Sequence, residues 1–167
     1  MLAPEILARA PQVLDAFRVR GWKLATAESC TGGLVAAALT SVAGSSDVVE
    51  RGFVTYSNEA KTELLGVPPT LIAAHGAVSE EVAAAMAAGA LARSHADVAV
   101  SVTGVAGPGG GTAEKPVGLV WIGCSVRGGS ASTVSRMFAG DRAAVRAASV
   151  GVAFELLLGC VRGDKDD

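Results

Sequence analysis

The sequence is poor in the residues that most often announce a chemistry. Its 167 residues include two histidines, three cysteines and a single tyrosine, and only 4% of the chain is aromatic. The cysteines Cys30, Cys124 and Cys160 are odd in number, far apart and without a CxxC pair. That pattern argues against a disulfide framework and against zinc or iron–sulfur ligation, and it reads as reduced thiols in a cytoplasmic protein. Charge of one sign is also missing. Lys and Arg number 14 against 16 Asp and Glu, a formal net charge of −2, so no basic field exists to hold a nucleic-acid backbone. Long apolar runs are absent near the start, where Glu5, Arg9, Asp15, Arg18 and Arg20 interrupt any signal-like core. The Ala-rich stretch from Val82 to Ala92 falls short of the roughly 18 residues a membrane span needs. Neither a nucleic-acid nor a membrane partner is expected. A hydrophobic content of 50% excludes disorder.

What the chain does have is glycine, 21 of them, together with alternating helical and strand-like patterns. Apolar residues Ile6, Leu7, Val13, Leu14 and Phe17 predict a helix from Pro4 to Arg20. A strand over Trp22–Glu28 leads into a helix over Thr31–Val42, and a β-rich segment over Val48–Tyr56 leads into a helix over Asn58–Leu65 closed by Gly66. Pro68-Pro69 reads as a turn. Ser79 is an N-cap for a helix reaching His95, with Glu80 and Glu81 in its first turn. An apolar strand over Val98–Thr103 precedes a glycine-rich stretch, and strands over Val117–Val126 and Ser132–Phe138 form a hairpin around Gly128-Gly129. Asp141 caps a last helix that runs to Leu158 and stops at Gly159. The order implies one α/β domain over residues 1–167, with a mixed sheet of about five strands.

Three features bear on chemistry. In Ala27-Glu28-Ser29-Cys30-Thr31-Gly32-Gly33, a strand turns into a helix at Ser29, and the N–H groups of Thr31, Gly32 and Gly33 point the same way. Such a turn can hold an oxyanion or a phosphate, and it can equally be a plain junction with Ser29 as cap. It is not the G-x-S-x-G elbow of the α/β-hydrolases. Tyr56 closes a strand, and Lys61, one of four lysines, lies one turn into the next helix. Both can converge on Ser29, with a buried lysine acting as general base and the tyrosine hydroxyl as relay. Spacing alone favours the alternative of a strand-end tyrosine and a solvated lysine. The stretch from Gly104 to Gly111 follows a buried strand, where α/β sheets place ligand crevices, yet fits neither a Walker loop nor a dinucleotide fingerprint. Its alternative is a flexible connection. Arg142 opposes the dipole of the last helix, with Arg146 on the same face; a carboxylate such as Asp141, or a bound anion, resolves that conflict. Cys30 is read as a packing residue, and His75 and His95 as surface or capping residues.

Five segments carry a resemblance: AESCTGGLVAAALTSVAGSS (27–46), GFVTYSNEAKTELLGV (52–67), HGAVSEEVAAAMAAGAL (75–91), SVTGVAGPGGGTAEKPVGLVWIG (101–123) and FAGDRAAVR (138–146). In order and over nearly the whole chain, they resemble the C-terminal domain family of the bacterial competence/damage-inducible protein CinA, which includes stand-alone nicotinamide-nucleotide amidases. The resemblance implies a three-layer α/β/α sandwich, a homodimer and no metal or other cofactor. It implies hydrolysis of the carboxamide of nicotinamide mononucleotide to nicotinate mononucleotide and ammonia. Ser29 falls on the family's nucleophile, and Tyr56 and Lys61 on its partners. Thr31, Gly32, Gly33, Gly104, Ala106, Gly107 and Arg142 are the expected substrate contacts. A non-catalytic nucleotide-binding module is the competing expectation.

Overall fold

The computed structural model describes residues 2–163. In chain order the elements are α1 (Pro4–Arg20), β1 (Leu24–Glu28), α2 (Leu34–Thr40), a 3-10 turn (Ser45–Asp47), β2 (Val49–Val54), α3 (Asn58–Leu65), α4 (Pro69–His75), α5 (Glu80–Ala92), β3 (Val98–Gly104), β4 (Leu119–Val126), β5 (Ala131–Met137) and α6 (Arg142–Arg162). The sheet order is β2-β1-β3-β4-β5. β1 is parallel to both β2 and β3, while β3–β4 and β4–β5 are antiparallel, so β4 alone runs against the other four strands. The chain leaves β1 first toward β2 and later toward β3. The carboxyl end of β1 is therefore a topological switch point, where open α/β sheets place their ligands. Ser29 follows immediately.

The two faces of the sheet are packed differently. On one face Leu24, Val98, Val100, Val102, Val120 and Ile122 bury against Phe17, Phe154 and Leu157, a core of large side chains under α1, α2 and α6. On the other, Ala25, Ala27 and Ala99 meet Val82, Met86 and Ala90 of the Ala-rich α5. Small residues there let the helix approach closely. A Cβ at Gly123 would come within 2.7 Å of the Ala83 carbonyl oxygen, and the Ser101 hydroxyl donates to that same oxygen at 2.6 Å. The result is the three-layer α/β/α sandwich.

Several boundaries differ from expectation, each for a physical reason. α2 begins at Leu34 rather than Thr31, because Gly32 (φ 56°) and Gly33 (φ 102°) take left-handed conformations that no helix interior accommodates. Pro69 starts a helix instead of sitting in a turn, since proline at the first helical position loses no needed N–H. α6 continues through Gly159, where a Cβ would meet nothing within 4 Å, and ends at Gly163 with φ 67°. α6 is also long and apolar enough to cross a membrane, and half of its most apolar window is buried inside this fold.

Candidate functional site

The turn after β1 is held by three strands' worth of contacts. Ser29 N–H donates to the Val102 carbonyl of β3 at 2.9 Å, and Thr55 N–H donates to the Glu28 carbonyl at the same distance. Glu28 itself is 1% exposed, and its carboxylate accepts from Val35 N–H at 2.8 Å and Ala36 N–H at 3.1 Å. The cap of α2 is thus the glutamate before the nucleophile candidate, not Ser29. With those two donors satisfied and a carboxylate at the helix start, the α2 dipole lends little to a second anion. Any oxyanion here must rest on local N–H groups. Gly32 N–H is engaged by the Ser29 carbonyl at 2.9 Å, whereas those of Thr31 and Gly33 have no partner among the described residues.

Lys61 is 1% exposed, and its Nζ lies 3.0 Å from Ser29 Oγ. α3 makes this possible: Ser57 caps it by accepting from Ala60 N–H at 3.0 Å, and Lys61 falls on its inward face. Nζ also reaches the carbonyls of Thr55 (3.1 Å), Tyr56 (3.4 Å) and Ser57 (3.4 Å). No carboxylate bonds it among the described residues. Burial lowers its pKa below the ordinary lysine value, and the Coulombic influences of Cys30 and Glu59 only partly oppose this. A neutral amine placed here accepts the Ser29 proton directly. The buried hydroxyls of Thr31, two residues after Ser29, and Thr55, whose carbonyl accepts from Lys61, have no hydrogen-bond partner among the described residues.

Tyr56 is placed otherwise than the relay expectation has it. Its ring is exposed, and its hydroxyl accepts from Arg142 Nη2 at 2.8 Å; only its backbone carbonyl meets Lys61. Arg142 Nη1 donates to the Gly107 carbonyl at 2.9 Å, which ties the glycine-rich loop to the start of α6. Arg146 donates to the carbonyls of Cys30 and Thr31, each at 3.1 Å. Asp141 caps α6 through Ala144 N–H and forms no ion pair with Arg142, so the expected carboxylate partner is not used. Arg142 and Arg146, with carbonyls and a phenol as their hydrogen-bond partners, line a cavity of about 630 Å³. Ala106, Pro108, Val117, Gly140 and Ala143 share its wall with one carboxylate, Asp141, so two cations face one anion there. Gly107 (φ 80°) lends its carbonyl to this site, while Gly104 is required by packing, since a Cβ there would lie 2.6 Å from Val120.

A second cavity, of about 480 Å³, lies between α3 and α4 and carries Glu59 and Glu63, which repel an anionic ligand. His75 pairs with Glu81, and no side chain of either histidine bonds Ser29. Burial pushes the Cys30 thiol up to about 11, in keeping with a packing role. Among the described residues no group of three or more His, Cys, Asp or Glu is arranged to hold a metal ion.

The model of the CinA C-terminal domain matches residues 7–161. The chain belongs to the CinA C-terminal domain family. Its relatives include the nicotinamide-nucleotide amidohydrolase PncC of Escherichia coli K12, 50% identical over 157 residues, which are 94% of this chain and 95% of that one. The protein of the same name from Enterobacter agglomerans is 56% identical over 131 residues, 78% of this chain and 80% of its own length. Among solved structures, the competence/damage-inducible protein CihA of Agrobacterium tumefaciens superposes with a TM-score of 0.92 at 47% identity, covering 97% of this chain and 98% of that one. CinA-family membership thus accounts for both the five-stranded sandwich and the sequence motifs clustered at its switch point.

Proposed function

We propose that this chain is a nicotinamide-nucleotide amidohydrolase, converting nicotinamide mononucleotide and water into nicotinate mononucleotide and ammonia. The observation that carries the reading is the 3.0 Å contact between the Ser29 hydroxyl and a buried lysine amine that no carboxylate among the described residues pairs with. It is supported by the names of relatives that match this chain across nearly its whole length.

In this mechanism neutral Lys61 takes the Ser29 proton while Oγ attacks the carboxamide carbon. The negative charge that forms on the amide oxygen is met by the N–H groups of Thr31 and Gly33; an oxyanion donor is typically worth about 10²–10³ in turnover. The Lys61 ammonium returns its proton to the leaving nitrogen, ammonia departs, and an ester of Ser29 remains. Lys61 then draws a proton from water, the hydroxide attacks the ester carbon, the bond to Oγ breaks as Lys61 returns that proton to Ser29, and the acid product leaves and ionises to the carboxylate. Arg142 and Arg146 hold the phosphate, and the loop from Gly104 to Gly111 borders the ribose. The tyrosine orients Arg142 in this scheme, and proton transfer from serine to lysine is direct. The reading extends to a homodimer without cofactor, as the family resemblance implies, and sedimentation of the purified protein measures the assembly.

The test is ammonia release from nicotinamide mononucleotide, nicotinamide riboside and free nicotinamide in one assay. The mononucleotide should be the preferred substrate by kcat/KM. Tight binding of the mononucleotide with no ammonia released would overturn the enzyme and identify a nucleotide-binding module.

A further inference from the structure

Amide hydrolysis uses none of the chain's sulfur. Cys30 is isolated, but Cys124 and Cys160 are not. Cys124 lies on β4, facing the α6 layer, and is 1% exposed; Cys160 occupies the last turn of α6 and is half-buried. Their sulfurs are 2.7 Å apart although 36 residues separate them in sequence. The alternation of β4 produces this meeting: Val120, Ile122 and Cys124 share the face that packs under α6. The reduced sulfurs thus already share the volume a disulfide would occupy.

We propose that Cys124 and Cys160 form an intramolecular disulfide site, closed by a hydroperoxide and reopened by a dithiol. The partly exposed sulfur reacts first. The Cys160 thiolate attacks a peroxide oxygen, the O–O bond breaks, and the products are a Cys160 sulfenic acid and, from hydrogen peroxide, water. Cys124 then attacks the sulfenic sulfur, the S–O bond breaks, and a second water leaves with the Cys124 proton. Two thiols are oxidised by two electrons in total, and one peroxide is reduced. The order follows from access: Cys124 is shielded by the core, while solvent reaches Cys160. The hydrogen bond with Cys124 lowers the Cys160 pKa despite its partial burial, aided by a hydrogen bond with Ser132. Cys30 supplies an internal control, since burial disfavours its thiolate and the sulfur–sulfur contact is between Cys124 and Cys160.

Closing this loop fastens the end of α6 to β4 at the pole opposite Arg142 and Arg146. A cross-link over that many residues mainly restricts the unfolded chain, so the oxidised protein should melt on the order of 5–10 °C higher. The full chain, reduced and then treated with hydrogen peroxide, is assayed by thiol titration in denaturant and by peptide mass mapping. The expected result is loss of two of the three thiols, a Cys124–Cys160 linked peptide, and full recovery with dithiothreitol. Cys30→Ser should leave the pairing intact, and Cys160→Ser should abolish it. Retention of all three thiols, or a Cys160 that proceeds to sulfinic acid while Cys124 stays free, would overturn the proposal.

Discussion

The two ends of the site are built by opposite means. At the Ser29 end, the reacting groups are withdrawn from water and held by backbone: Lys61 and Glu28 are each 1% exposed. At the Arg142 end Arg142 is exposed and Arg146 half-buried, and carbonyls and a phenol hold the two guanidiniums, which form no ion pair among the described residues. Burial suits the first task, since desolvation is what makes a lysine basic rather than charged. Openness suits the second, since an anion must arrive from solvent and find cations not already tied up in ion pairs. In the proposed reading the chemistry lives in the core and the recognition at the rim.

Four measurements press on that division. The largest effect belongs to Lys61→Ala, which removes the only amine in contact with Ser29 among the described residues; kcat should fall by about 10³ or more with the protein still folded, as happens when one member of a concerted pair is lost. Retained kcat would move the base elsewhere. Arg142→Ala should raise KM for the mononucleotide by about 10–100-fold while leaving the riboside nearly unaffected, the scale of losing a charged hydrogen-bond donor. Equal losses on both substrates would place Arg142 at the reacting end. Third is pH dependence. In the proposed mechanism Lys61 acts in its neutral form, and burial lowers its pKa, so kcat/KM should rise with pH to a plateau reached below the ordinary lysine range. A rate that falls over that interval would reverse the sign and rule out a lysine base. The smallest effect is that of Tyr56→Phe: KM should rise by about 2–10-fold with kcat intact, because only one hydrogen bond to Arg142 is lost. A collapse of kcat on both mononucleotide and riboside would restore the hydroxyl to a relay.

The same division separates what was legible in the sequence from what was not. α3 could be read to the residue, because Ser57 and Gly66 are local signals that bracket it. Lys61 could be named but not placed by spacing: a helix position says nothing about which face is buried, and only the family motif favoured the inward one. Glu28 gives no capping signal in the sequence, because its partners, Val35 and Ala36, lie seven and eight residues on, beyond the reach of the usual capping pattern. The Tyr56–Arg142 bond joins residues 86 apart, and nothing in either neighbourhood announces it. α4 was hidden by a proline pair that serves turns and helix starts alike. Local chemistry was visible wherever its partners were close along the chain.

The most direct test of the account is the steady-state release of ammonia from saturating nicotinamide mononucleotide by Ser29→Ala beside the wild-type protein. The account predicts an active wild type and a variant slowed by about 10³ or more that still binds the mononucleotide through its arginines. A variant that releases ammonia at the wild-type rate would contradict it.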